Sequence, residues 1–217
     1  MVERHSSSEQ SVLLEKQITT GMWGVVSELA EKWENPNVGI AGAGVLLPSG
    51  VLAATATSLF NDREKKWWHA EALALDVYRR TYMQNPPLDS IMLCILLPCA
   101  EPEQPLRIGR SCIDLINMHQ MPVVCCSIDS NQLNQPENSN SRLFVVNDLG
   151  LQLVGKYLTG LFELQANWQA QQDHPGKNPW PELKKQLPPL GDILRAIRQM
   201  NEHQAANLLQ ADSQELI

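Results

Sequence analysis

The run Ile91-Met92-Leu93-Cys94-Ile95-Leu96-Leu97 restricts the fold most, because every position in it is apolar. A strand with one wetted face alternates polar and apolar residues, whereas a strand apolar throughout is buried on both faces. Such a strand needs helices above and below its sheet. The run falls well short of the roughly 20 apolar residues of a membrane-spanning helix, and no other stretch reaches that length. Pro122-Val123-Val124-Cys125-Cys126-Ser127-Ile128 reads as a second strand of the same kind.

The flanking segments supply the helices. Val12, Leu13, Ile18, Met22, Val25, Val26, Leu29, Ala30 and Trp33 recur at spacings of three and four, which predicts an amphipathic helix over 10–34. Thr19-Thr20-Gly21 is the point where it would break, and Asn35-Pro36 stops it. Two β-leaning runs then surround Pro48-Ser49-Gly50, the signature of a hairpin. Residues 61–67 are polar and read as a loop. Ala70, Leu73, Ala74, Val77 and Tyr78 place a helix from about His69 to Met83, ended by Asn85-Pro86-Pro87. A polar loop from Glu101 to Arg110 leads to Ser111, an N-cap for a helix through Ile113, Leu115, Ile116 and Met118. Residues 129–141 form an exposed loop, 142–146 a short strand, and 149–168 a further helix.

Strand-strand-helix-strand-helix-strand is an α/β order, so the expected architecture is a three-layer α/β/α sandwich around a mixed sheet. Beyond Gln169 prolines cluster, and one amphipathic helix is expected from about Gly191 to Leu209. The reading is therefore a domain over 1–168 that includes the N-terminal helix. A Pro-rich linker and helical extension over 169–217 follow, strapped over the domain or lying at a subunit interface.

The net charge of −7 argues against a chain that coats nucleic acid, since that binding needs many cations facing phosphates. The five cysteines (94, 99, 112, 125 and 126) are odd in number and irregular in spacing, so they do not form a disulfide framework. The N-terminus lacks the apolar core of a signal peptide. A reduced, cytoplasmic setting is the expectation. There, cysteines near a histidine more often bind metal or do chemistry than pair as disulfides.

Three elements in order carry the chemistry. His69-Ala70-Glu71 opens an apolar helix, Pro98-Cys99 follows the buried strand, and Cys112 opens the next helix behind Ser111. Residues two apart do not share a face of a regular helix. At a helix entrance, however, the first residue can point differently, so His69 and Glu71 can converge. Zinc prefers N and S ligands in a tetrahedron, and catalytic sites supply three of them. His69, Cys99 and Cys112 fit that count. A helix N-terminus favours the thiolate of Cys112, and Cys99 sits at a strand's carboxyl end, where open α/β sheets bind ligands. Glu71, unligated, would serve as the proton carrier. Each element alone has a bland reading: most H-x-E triplets are helix surface, and most free cysteines are core. The weight lies in their conjunction. Trp67 and Trp68 are candidates to stack on a ring, with core packing the simpler fate for at least one. Cys94, Cys125 and Cys126 read as core, and His5, His119, His174 and His203 receive no role.

With those motifs in place, the chain resembles the cytidine-deaminase-like superfamily of zinc deaminases acting on bases, nucleosides and nucleotides. More narrowly it is similar to the pyrimidine deaminases of riboflavin biosynthesis. Their N-P-x-V-G is matched by Asn35-Pro36-Asn37-Val38-Gly39, and their HAE with Ala-Leu by His69-Ala70-Glu71-Ala72-Leu73. Their cysteine motif is matched by Pro98-Cys99 and by Gly109-Arg110-Ser111-Cys112 followed by Ile113-Asp114-Leu115-Ile116. The similarity covers about residues 20–128. It implies a cytidine-deaminase-like sheet, Zn2+ as cofactor, a small aminopyrimidine or nucleotide as substrate, and a homodimer or higher oligomer. It also implies substrate contacts by Asn35 and Arg110, the latter toward a phosphate. For Asn35 the alternative is a simple helix stop, and for Arg110 a solvated loop charge. The chain departs from the pattern in having residues 100–111 between the cysteines, a longer insert than in those families. Ala100-Glu101 also stands where they have Ser-His. The reductase domain that usually follows in that family would not fit in the C-terminal remainder. Two other readings therefore stay open: a deaminase of bases in RNA or DNA, and an inactive zinc-stabilised binding module.

Overall fold

The computed structural model of the chain describes residues 7–99, 111–126, 142–170 and 177–210. At its centre is a six-stranded mixed sheet in the order β3-β2-β1-β4-β5-β6. The strands are β1 (Val38–Leu46), β2 (Leu52–Asn61), β3 (Lys66–Trp68), β4 (Ile91–Cys94), β5 (Val123–Cys125) and β6 (Leu143–Val145). The contacts of β1 with β2 and β4, and of β2 with β3, are antiparallel; β4, β5 and β6 run parallel. Helices cover both faces, as a fully apolar β4 demands, and the three-layer sandwich expected from the sequence is present. Residues Ile91 to Ile95 are all buried.

One face packs on α1 (Ser7–Glu31) and α4 (Leu149–Ala170), with Met22, Val25, Leu29, Leu93, Ile95, Val124, Leu151 and Leu158 in a common core. The other packs on α2 (Ala70–Tyr82) and α3 (Cys112–Met118). There Ala54, Ala56, Ala70 and Ala74 are small enough to let α2 lie close on β1 and β2.

Several local signals act as written. Gly50 adopts φ +82° in the β1–β2 turn, a conformation that side chains other than glycine's resist. The Gly50 amide donates to the Leu47 carbonyl at 2.8 Å. Met83 closes α2 in the left-handed region, its N–H donating to the Arg79 carbonyl at 2.8 Å.

Three features differ from the sequence reading. Helix α1 runs unbroken through Thr19-Thr20-Gly21. A Cβ at Gly21 would stand 2.8 Å from Leu93 Cδ1, so the glycine is there for close helix–sheet approach. Residues 66–68 form a strand where a loop was expected: Asn61 Oδ1 accepts from the Arg63 and Glu64 amides and turns the chain back, so Lys66-Trp67-Trp68 pairs with β2. The expected C-terminal helix is two, α6 (Leu190–Gln199) and α7 (Glu202–Gln210), preceded by the short α5 (Trp180–Leu183). The break at Met200-Asn201 is stabilised by Asn201 and Gln204, whose side chains each accept from the other's amide. Trp180, Leu183, Leu190, Leu194, Ile197 and Ala205 of this segment belong to the same core as α1 and α4.

Gly39, the last residue of Asn35-Pro36-Asn37-Val38-Gly39, is held to its size by packing. A Cβ there would meet Ser58 Oγ at 2.4 Å and Trp67 Cζ3 at 2.8 Å. Gly39→Ala is expected to cost about 1–3 kcal/mol through overpacking. Urea denaturation would show this as a lower midpoint at unchanged slope; an unchanged midpoint would refute it.

Candidate metal centre

Sheet geometry brings three distant segments to one end of β1. Val38 of β1 pairs with Leu59 of β2, and Leu59 pairs with Trp68 of β3, the residue before His69. On the other side Ala43 pairs with Cys94, and the Ile95 amide donates to the Gly42 carbonyl at 2.9 Å. Strand β4 ends at this pairing, and because it runs antiparallel to β1 its chain heads toward the Val38 end of β1 on the way to Cys99. The loops after β3 and β4 thus leave toward the same end of the sheet, with β2 and β1 between them.

His69 is the N-cap of α2, with extended backbone (φ −76°, ψ 142°), so its imidazole is free of the helical direction that Glu71 follows. This is how two residues spaced i, i+2 converge. Cys112 is the first residue of α3, fixed by a capping box. Ser111 Oγ accepts from the Asp114 amide at 3.1 Å, and the Asp114 carboxylate accepts from the Ser111 amide. The Ile113 amide donates to the Cys99 carbonyl at 3.2 Å, tying the two cysteine segments together. No sequence motif signals that bond.

The result is a cluster in which His69 Nδ1 lies 3.5 Å from Cys99 Sγ and 3.2 Å from Cys112 Sγ. All three donor atoms lie within 4.8 Å of one another. A tetrahedral zinc ion, about 2.3 Å from sulfur and 2.0 Å from nitrogen, places N and S ligands about 3.5 Å apart. The donor set and spacing therefore fit such an ion. Cys112 is buried while His69 and Cys99 are half-buried, which leaves an open side.

The electrostatics agree with a site built for a cation. The neighbouring Cys112 side chain holds Cys99 down at about 4, and the same contact, with burial, pushes Cys112 up. Cys99 in turn raises His69. Glu71 is 6% exposed and accepts from Cys112 Sγ at 3.4 Å. Burial, above all, pushes its carboxyl upward. An anionic carboxylate in such a place costs free energy unless a positive charge is near.

The remaining candidates are distributed unequally. Asn35 is exposed in the α1–β1 turn, its Oδ1 accepting from the Asn37 amide at 2.9 Å. It stands at the same end of the sheet as His69 and Cys99. Arg110 lies outside the described residues, as do His5 and His174. Trp67 packs edge-to-face on Phe60, ring centres 5.2 Å apart, and joins the core. Trp68 is half-buried in the row that ends at the site. Cys94, Cys125 and Cys126 are fully buried.

No protein-family model and no curated protein sequence matches the chain. Solved structures do. The diaminohydroxyphosphoribosylaminopyrimidine deaminase/5-amino-6-(5-phosphoribosylamino)uracil reductase of Thermotoga maritima aligns at 19% identity with a TM-score of 0.50, over 70% of this chain and 42% of that one. RibD of Acinetobacter baumannii aligns at 17% identity and TM-score 0.48, over 69% and 40%. The Rib2 deaminase of Aspergillus oryzae aligns at 14% identity and TM-score 0.43, over 62% and 86%. The chain thus spans less than half the length of the Thermotoga protein, and the likeness to it establishes a cytidine-deaminase-like fold.

Elemental analysis of protein dialysed against zinc and then buffer is expected to find about one ion per chain, and close to none in Cys112→Ser. A wild-type chain that retains no metal, or a variant that retains it fully, would overturn the cluster as a metal centre.

Proposed function

We propose that the chain is a zinc-dependent hydrolytic deaminase of a small aminopyrimidine or related nucleotide, similar to the pyrimidine deaminases of riboflavin biosynthesis. His69, Cys99 and Cys112 would hold the ion. Zinc held by three protein ligands supplies Lewis acidity, which makes water a usable nucleophile near neutral pH. The observation that carries the reading is Glu71, a buried carboxylate beside the three donor atoms but outside their set. A purely structural metal site has no use for such a group.

In this reading Glu71 moves the protons. It accepts one as water adds to the amine-bearing ring carbon and passes it to the adjacent ring nitrogen. A second transfer converts the amine to ammonia, which leaves as the carbon–nitrogen bond breaks and the carbonyl forms. A carboxyl whose proton affinity is raised by burial is a better proton acceptor than an exposed one. Glu71 also lies in the first turn of α2, where the helix dipole favours negative charge. Asn35 and Arg110 would bind the substrate, Asn35 from the rim of the sheet and Arg110 toward a phosphate, as the resemblance implies.

An expected consequence is ammonia release from a panel that includes diaminohydroxyphosphoribosylaminopyrimidine, cytidine and CMP. Glu71→Gln is expected to lower kcat roughly 10²–10⁴-fold while the ion stays bound, because it removes the proton carrier and no ligand. Coupled ammonia assay and elemental analysis on the same samples check both halves. A metal-loaded wild type inert on the whole panel would favour a zinc-stabilised binding module instead, and full activity in Glu71→Gln would remove the assigned proton path.

A further inference from the structure

The turn that carries Asn35 is gripped by a segment remote in sequence. Lys184, just after α5, sends its ammonium to three main-chain carbonyls: Trp33 at 2.6 Å, Val38 at 2.8 Å and Asn35 at 2.9 Å. An ammonium has three donors, and here each finds an acceptor. Burial brings Lys184 down to about 8, so it is charged at neutral pH. The same ammonium lies 4.6 Å from the Trp33 ring centre, a cation–π contact. Asn178, buried, donates from Nδ2 to the Pro36 carbonyl at 2.8 Å and to Asn37 Oδ1 at 3.4 Å. Its own Oδ1 accepts from the Trp180 amide at 3.1 Å, and the Trp180 ring tilts onto Trp33, centres 6.3 Å apart.

Nearly every acceptor in 33–38 is therefore occupied. The carbonyls of 33, 35, 36 and 38 go to Lys184 or Asn178, and that of Asn37 takes the Phe60 amide at 2.7 Å. This turn also stands at the end of the sheet that carries the metal-type cluster, because Val38 is level with Leu59 and Leu59 with Trp68, the residue before His69.

We propose that Lys184 and Asn178 are positioning residues for substrate binding, fixing the 33–38 turn so that Asn35 is held in its binding orientation. This rests on the reading of the centre as a deaminase site with Asn35 at its rim. Preorganising a recognition turn lowers the entropy lost when substrate binds, so its effect belongs in KM more than in kcat. The C-terminal segment then does more than cover the core: it sets the shape of the substrate rim.

The test is a double-mutant cycle on the full-length, metal-loaded chain with diaminohydroxyphosphoribosylaminopyrimidine and CMP, assayed well below each variant's melting temperature. Lys184→Met is expected to raise KM roughly tenfold with kcat within about twofold and metal content unchanged. In an Asn35→Ala background the same substitution is expected to change KM less than about twofold, because the group it positions is gone. Asn178→Leu serves as the second variant, with the same expected pattern. An equal effect in both backgrounds, or a loss confined to melting temperature, would reduce the segment to a stability element and overturn the proposal; so would failure of both variants to fold. If the metal-loaded wild type turns over no compound of the deaminase panel, the deaminase reading fails and this proposal with it, an outcome visible before any variant is made.

Discussion

The position of β1 between β2 and β4 is the constraint on which the centre depends. His69 follows β3 and Cys99 follows β4, and these strands lie on opposite sides of the β1–β2 pair. Their side chains meet because both chains leave toward the same end of β1, the end that begins at Val38. A slip of one residue in the β1–β4 register would turn every side chain of the shifted strand to the other face. The apolar β4 prevents this: Leu93 and Ile95 face α1 and α4, and Met92 and Cys94 face α2 and α3, so neither set can be exchanged without breaking a core.

Within that frame, local chemistry tunes the cluster. The capping box at Ser111 starts α3 so that Cys112 is its first residue, with Sγ 3.2 Å from His69 Nδ1. Cys112 Sγ also donates to Glu71 at 3.4 Å, joining the donor set to the carboxylate. A buried carboxylate, two neighbouring cysteines and a raised imidazole form a costly arrangement in an otherwise apolar layer. Cations or protons relieve it, which is the property a metal-assisted proton-transfer site needs.

The C-terminal segment illustrates how one core can serve two ends. Trp180 and Leu194 are packed into the layer formed by α1 and α4, and Lys156 donates to the Leu208 and Leu209 carbonyls at 3.0 Å, closing α7 onto α4. From that anchored position the Asn178–Lys184 stretch reaches the α1–β1 turn. Rigid attachment on one side is what lets it hold the other.

Most of the architecture was legible in the residues themselves. The apolar β4 and β5, the Pro48-Ser49-Gly50 turn, the α2 periodicity and the Ser111 cap are all short-range signals, and each depends on a period or a backbone preference that one segment carries alone. The conjunction of His69-Ala70-Glu71, Pro98-Cys99 and Ser111-Cys112 likewise identified a candidate cluster, since metal-type ligands are distinctive side chains at distinctive places. Strand β3, the unbroken α1 and the split between α6 and α7 were not legible. They follow from an Asn61 turn, a close approach of Gly21 to Leu93, and an exchange of bonds between Asn201 and Gln204. The grip of Lys184 on 33–38 left no trace in sequence at all. Its partners are main-chain carbonyls, which every residue possesses, so only the folded path of the chain decides which of them a distant ammonium meets.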